Sequence, residues 1–132
     1  MDYYTWDKKT DELKKWEGDI LSYFQHTDGE SESAYRVGYT EVVLGILVST
    51  VFLRFDHGHG SDTPLLFETM VFSDHMGVED EYQERYWTAQ EARDGHIRAV
   101  KAVEEQIKGV RELNRETPHH QLRRARRREK AT

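Results

Sequence analysis

Two runs rich in β-branched and aromatic residues, separated by a glycine-containing loop, most constrain how this chain folds. The first run is ILVSTVFLRF at 46–55, and the second is LLFETMVF at 65–72. Such residues favour extended structure, and two runs joined by a loop favour neighbouring antiparallel strands. With AYRVGYTEV at 34–42 as the preceding strand, we predict a three-stranded meander. YQERYW at 82–87 predicts a short fourth strand at its edge.

Alternation along these strands places large apolar side chains on both faces of the predicted sheet. Val51 and Phe52 point to opposite faces, as do Phe67 and Met70. An antiparallel sheet that is covered on one side only usually has a polar outer face. We therefore expect helices on one face, and on the other a second cover or a partner chain, which includes a second copy of this chain.

Apolar residues at three- and four-residue spacing predict an N-terminal helix from about Thr10 to Gln25. The residues that recur in this way are Leu13, Trp16, Ile20 and Phe24. Thr10 or Asp11 is placed to cap the start of this helix.

A long C-terminal helix is predicted from the capping box formed by Thr88 and Glu91. Its apolar stripe continues to about Leu113 and consists of Ala92, His96, Ala99, Val100, Val103, Ile107 and Val110. Pro118 prevents any continuation. The fold class is therefore α+β, with a three- to four-stranded antiparallel meander packed by an N-terminal helix and a long C-terminal helix.

Charge divides the chain into an acidic body and a basic tail. Residues 1–114 contain 12 Lys/Arg against 23 Asp/Glu, whereas residues 115–132 contain seven against two. We predict one domain over 1–114 and a disordered tail over 115–132. An acidic body repels phosphate backbones, so nucleic acid would bind mainly through the tail. The candidate contacts there are Arg123, Arg124, Arg126, Arg127 and Arg128.

Several classes of protein are disfavoured by composition. The chain has no cysteine, which excludes disulfides, thiolate metal sites and cysteine nucleophiles. Its longest apolar run, 42–53, falls short of the roughly 20 residues of a membrane-spanning helix. Its first residues carry acids and aromatics where a secretory signal has a basic segment. We expect a soluble cytoplasmic protein that makes no membrane contact.

The loop DHGHGSD at 56–62 is the candidate site for a metal. His57 and His59 would face the same side of an extended segment, and with His96 and a loop aspartate they would supply the nitrogen and oxygen ligands that zinc prefers. The alternative is a hairpin turn without any cofactor, in which Asp56 bonds its own loop backbone and His96 is packed. No serine nucleophile elbow, phosphate-binding glycine loop or paired-carboxylate motif is present.

The segments VSTVFLRFDHGHGSDTPLLFETMVF at 48–72 and ERYWTAQEARDGHIRAV at 84–100 resemble a group of small uncharacterised proteins of bacteriophages and prophages. That group shares an STV(F/W)LG(L/I)DH strand, a glycine-containing loop, an FETMVF strand, an RY-T junction and a helix beginning EEA–GH. The resemblance covers about residues 16–103 and implies phage ancestry and an α+β fold. The chain departs from the group at Arg54, where the group usually has glycine.

We therefore expect a phage-derived accessory protein that binds a host or phage protein and catalyses no reaction. It would act in the cytoplasm of the infected or lysogenic bacterium. Its acidic body suggests an inhibitor of host defence or transcription that occupies a surface normally used by nucleic acid. Two alternatives remain open: a metal-dependent hydrolase or nuclease at the Asp56–Asp62 loop, and a nucleic-acid binder that uses the tail.

Overall fold

The computed structural model describes residues 2–57, 62–73 and 82–116, with side chains as far as residue 113. The elements are β1 (Tyr4–Trp6), β2 (Leu13–Lys15), α1 (Ile20–Thr27), a 3-10 turn (Glu32–Ala34), β3 (Arg36–Val43), β4 (Ile46–Phe52), β5 (Phe67–Ser73), β6 (Gln83–Tyr86) and α2 (Ala89–Glu116). The strands β1 and β2 form a hairpin, and the others form an antiparallel sheet in the order β3-β4-β5-β6. The predicted α+β fold and meander are confirmed. The predicted disorder of the tail beyond residue 116 lies outside the described residues.

Strand β4 ends earlier than its apolar run predicts. It pairs with β5 in an unbroken register, from Ile46 opposite Ser73 to Phe52 opposite Phe67. The apolar run continues to Phe55, but the strand ends at Phe52. Arg54 has a φ of 75°, a left-handed conformation that an extended strand does not contain. Glycine adopts this conformation without steric cost, whereas a residue with a side chain does not.

The hairpin of β1 and β2 corrects the prediction of a helix that begins near Thr10. The Asp7 carboxylate accepts hydrogen bonds from the backbone N–H of Lys9 (2.9 Å) and of Thr10 (3.3 Å). Asp11 adopts a φ of 63° in the same turn. Aspartate side chains that bond nearby backbone groups compete with helix formation. The turn therefore reverses the chain where the apolar spacing predicted a helix.

Helix α1 begins at Ile20, and its buried residues are Tyr23 and Thr27 instead of the predicted stripe. Asp19 caps the helix by accepting a hydrogen bond from the Ser22 N–H at 2.8 Å. Ile20 and Phe24, which belong to the predicted stripe, are each 50% exposed. The buried Tyr23 hydroxyl donates to the Tyr4 carbonyl at 2.6 Å. The helix is thus attached to β1.

The capping box predicted for α2 is present. The Thr88 N–H donates to the Glu91 carboxylate at 3.2 Å, and the Glu91 N–H donates to the Thr88 hydroxyl at 3.1 Å. The helix then runs to Glu116. Val103 is buried, but Val110 is 53% exposed. The predicted apolar stripe therefore extends beyond the part of α2 that is buried against the sheet.

Helix α2 and the hairpin cover the same face of the sheet. Trp6 of β1 packs against Phe52 and Phe67, with ring centroids 5.9 and 5.3 Å apart. Ala89 and Ala92 of α2 belong to the same buried cluster as these two phenylalanines. An ion pair between Arg93 of α2 and Asp11 connects the helix to the hairpin turn. A second cluster lies further along α2 and consists of Ile46, Val48, Val71, Ala99 and Val103.

Two glycines allow α2 to approach the sheet closely. A Cβ atom on Gly95 of α2 would overlap the Tyr86 hydroxyl, and a Cβ atom on Gly38 of β3 would lie 2.8 Å from the His96 ring. Real Cβ atoms do not come this close to another heavy atom. Any larger residue at either position would therefore push the helix away from the sheet.

Alanine substitution of two glycines in α2 should have opposite effects. Gly109→Ala should stabilise the protein by about 1 kcal/mol, because alanine favours helix and nothing lies within 4 Å of the new methyl group. Gly95→Ala gains the same propensity but should destabilise the protein by about 1–3 kcal/mol, since its methyl group overlaps Tyr86. Urea unfolding of both variants measures this difference. Equal stabilisation would contradict the close approach.

Candidate functional site

At the start of the loop after β4, Asp56 and His57 form hydrogen bonds with the backbone of Leu65, at the end of the same loop. The Leu65 N–H donates to the Asp56 carboxylate at 3.0 Å, and the His57 N–H donates to the Leu65 carbonyl at 3.1 Å. The His57 ring stacks on Phe55, with centroids 4.6 Å apart. Asp56 thus bonds the backbone of its own loop, as the hairpin alternative predicts for this residue.

His96 lies elsewhere, between α2 and the centre of the sheet, where both of its ring nitrogens meet threonines. Nδ1 is 2.8 Å from the Thr50 hydroxyl, and Nε2 is 2.8 Å from the Thr40 hydroxyl. The Thr50 hydroxyl is 2.6 Å from that of Thr69, which accepts a hydrogen bond from Tyr86 at 3.0 Å. Thr50 and Thr69 are completely buried. These five residues form one chain of hydrogen bonds, which we call the His96 chain.

One direction of donation satisfies every member of the His96 chain. With Tyr86 donating to Thr69, all five residues are satisfied when Thr69 donates to Thr50, Thr50 donates to Nδ1 of His96, and an N–H on Nε2 donates to Thr40. Burial lowers the pKa of His96 and raises the pKa of Tyr86 to about 12. Both effects favour uncharged side chains. The His96 chain thus joins helix and sheet as neutral partners.

The metal prediction is not decided by this geometry. Among the residues that the structure describes, no group of three or more His, Asp or Glu side chains is arranged to hold a metal ion. His57 and His96 lie in different surroundings, and His59 falls in 58–61, outside the described residues. The zinc ligand set of His57, His59 and His96 stays a prediction. The tail candidates, from Arg123 to Arg128, also lie outside the described residues.

The position of Glu68 in the middle of a strand predicts a cross-strand ion pair, and the sequence suggests Arg54, diagonal to it in the hairpin, as the partner. Glu68 does form such a pair, but with a different residue. Its carboxylate accepts hydrogen bonds from Arg85 at 2.8 Å and from the Gln83 amide at 2.6 Å. Arg54, the partner suggested by the sequence, lies 3.5 Å from Glu30 instead. The partner was missed because Arg85 belongs to β6, whose register the sequence does not reveal.

The side of the sheet opposite α2 and the hairpin is packed against no helix among the described residues. We call this side the open face. Directly paired residues of neighbouring strands share a face, so the strand register identifies the residues of this side. Its residues are Arg36, Tyr39, Glu41, Leu47, Ser49, Val51, Glu68, Met70, Phe72, Gln83 and Arg85. Tyr39 is 54% exposed and Phe72 is 48% exposed. Large aromatic side chains are thus presented to solvent by regular strands.

One end of the open face is apolar except for Glu41, an exposed residue that pairs with Leu47. Leu47 pairs with Phe72 across β4 and β5, and Leu44, in the turn before β4, is 85% exposed. Together with Tyr39 these residues line a shallow depression of about 360 Å³. We call Tyr39, Leu44, Leu47 and Phe72 the apolar corner. Arg36 borders the apolar corner, and its guanidinium lies 4.2 Å from the centre of the Tyr39 ring.

Comparisons of the chain with protein-family models, with curated proteins and with solved structures find no match. Neither α1 nor the described part of α2 combines the length and the apolar composition that a membrane span requires.

The double substitution of His57 and His59 by asparagine distinguishes the two interpretations of the loop, a hairpin turn and a zinc site. We expect a stability change within about 1 kcal/mol, because the described contact that is lost is the stacking of His57 on Phe55. A chelator should leave the melting temperature of the parent protein unchanged. A stoichiometric metal that survives dialysis and disappears in the double variant would instead support the hydrolase alternative.

Proposed function

We propose that this chain is a phage-derived accessory protein that binds a host or phage protein through its open face and catalyses no reaction. The observation that carries the proposal is the apolar corner. Exposed apolar surface that spans three strands favours a role in protein binding over a role as a solvated surface. The resemblance to phage proteins supports the cellular setting, which is the cytoplasm of the infected or lysogenic bacterium.

The apolar corner has the composition of a binding centre. Tyr39 and Phe72 are aromatic residues of the kind that anchor protein interfaces, and the strands that carry them hold their backbones in place. Arg36, Glu68 and Arg85 lie on the same face, toward its other end. Polar and charged residues around an apolar centre are the usual arrangement of an interface rim. The partner would cover both regions.

Charge favours a partner with a basic surface. Residues 1–114 carry 23 Asp/Glu against 12 Lys/Arg, and complementary potentials accelerate association and favour the correct partner. Proteins that bind nucleic acid present such basic surfaces. The chain would inhibit a protein of host defence or transcription by occupying its nucleic-acid-binding surface.

Capture from a lysate of the host, treated with nuclease, tests this function. The bait is the full chain, and each protein recovered is purified and titrated against it. We expect one-to-one binding that weakens as salt rises from about 0.1 to 0.5 M, because salt screens the attraction between the acidic body and a basic partner. Failure to recover a host or phage protein that binds the purified chain would contradict the proposal. Binding that nuclease treatment abolishes would favour nucleic acid and the tail.

A pair of matched variants locates the surface. Tyr39→Thr with Phe72→Thr removes two exposed apolar side chains from the open face and retains residues that favour strands. Ile97→Gln with Val110→Gln removes two side chains of similar exposure, 52% and 53%, from α2. We expect the first pair to weaken partner binding at least about tenfold and the second to leave it unchanged. The opposite result would place the binding surface on α2.

A further inference from the structure

A groove separate from the open face lies between the hairpin, α1 and the adjoining ends of β3 and β4. Its volume is about 550 Å³, which is within the range of sites that bind small molecules. Residues of the hairpin form one side, and the C-terminal end of α1 forms another. Because β1, α1 and β4 are joined by hydrogen bonds to Tyr4 and Arg54, the walls of the groove are held together by the fold.

Aromatic side chains line the groove. Phe52 and Tyr23 are buried, whereas Trp6 and Tyr35 are half-buried. Trp6 is held in place by its contacts with Phe52 and Phe67 and by a hydrogen bond from its indole N–H to Asp11 at 3.3 Å. Rigid rings of this kind provide surfaces on which a planar ligand stacks.

The groove differs from the rest of the protein in charge. It is lined by four Lys/Arg against three Asp/Glu, whereas the other described side chains contribute eight against 16. The cations come from three elements of the fold and are Lys8, Lys9, Lys14 and Arg54. Two of these cations lie near carboxylates of the same lining, Arg54 3.5 Å from Glu30 and Lys14 3.6 Å from Glu12. The groove therefore carries a small positive excess and repels anions less than the acidic remainder of the protein does.

Arg54 adds an independent observation. Its φ of 75° is unfavourable for a residue with a side chain, and strained residues of this kind cluster at functional sites. Its guanidinium is held 4.5 Å from the centre of the Tyr35 ring. The strained backbone thus presents the Arg54 guanidinium at the wall of the groove, beside the Tyr35 ring and 3.5 Å from the Glu30 carboxylate, with which a bound phosphate would compete. Arginine in such a position bonds phosphate groups bidentately.

We propose that this groove binds a nucleoside phosphate. The base would stack on the exposed parts of Trp6 and Tyr35, and the phosphates would bond Arg54 and the lysines of the hairpin. This ligand combines the two features that the lining recognises, a planar ring and a compact negative charge. The site is independent of the protein partner proposed for the open face.

Calorimetric titration of the full chain with ATP, GTP, CTP and UTP tests the proposal. Adenosine and tripolyphosphate serve as probes for the base and for the phosphates alone. We expect at least one triphosphate to bind with a stoichiometry of one, and both partial probes to bind at least about tenfold more weakly. If none of the triphosphates binds, the proposal is wrong. It is also wrong if tripolyphosphate binds as tightly as the best nucleotide, because the aromatic lining would then contribute nothing.

Two charge-matched double variants distinguish the groove from other basic regions, including the tail. Lys9→Gln with Lys14→Gln removes two exposed lysines from the groove, whereas Lys101→Gln with Lys108→Gln removes two exposed lysines from α2. We expect the groove pair to reduce nucleotide affinity about tenfold, the loss of one or two charge-assisted contacts. The α2 pair should change it less than about twofold. Equal effects of the two pairs, or an unchanged affinity in the groove pair, would overturn the assignment.

Discussion

The contact between His96 and the threonines of the sheet determines how α2 and the sheet come together. Both ring nitrogens are hydrogen-bonded, and glycine at 38 and 95 makes room for His96 and Tyr86. The His96 chain lies between the two apolar clusters, since Thr50 falls between Val48 and Phe52 along β4. A shift of the helix along the sheet would leave buried hydroxyls without partners, which costs about 1–3 kcal/mol for each group. The His96 chain therefore specifies one position of α2 on the sheet, whereas apolar packing alone tolerates several positions.

This arrangement leaves the two faces of the sheet with different roles. Helix α2 and the hairpin together cover one face, where Trp6, Ala92 and Ala99 pack. The opposite face presents Tyr39 and Phe72 to solvent, and the resulting surface is the basis of the proposed binding function. The hairpin, which covers the same face as α2, is joined by hydrogen bonds of Tyr4 to α1 and to the chain that follows β4, and the groove lies between these segments.

The sequence predicted the elements with long periodic patterns and missed those that depend on single turns. The meander and α2 follow from runs of seven or more residues whose pattern outweighs local exceptions. The hairpin has strands of three residues, too short to show alternation, and its turn depends on Asp7 bonding its own backbone. His96 was among the candidate residues, but predicting its threonine partners requires the register of three strands, which no local sequence pattern specifies. The second apolar face of the sheet was predicted from strand alternation, which includes Val51 and Met70. The groove, in contrast, is formed by segments distant in sequence, so no local sequence pattern predicts it.

The dependence of stability on pH tests most directly whether His96 is buried as a neutral link between helix and sheet. Burial lowers its pKa in the folded state, so the unfolded state takes up a proton first as pH falls below the ordinary histidine value of about 6.5. The stabilisation is complete above that value and is lost as pH falls toward the folded pKa. Between pH 7.5 and 5.5 the protein should therefore lose up to about 1.4 kcal/mol that a His96→Gln variant does not lose. Urea unfolding measures the stability of both proteins at the two pH values. The other titrating groups are the same in both proteins, so their contributions cancel in the difference. Identical pH dependence of the two proteins would contradict the account.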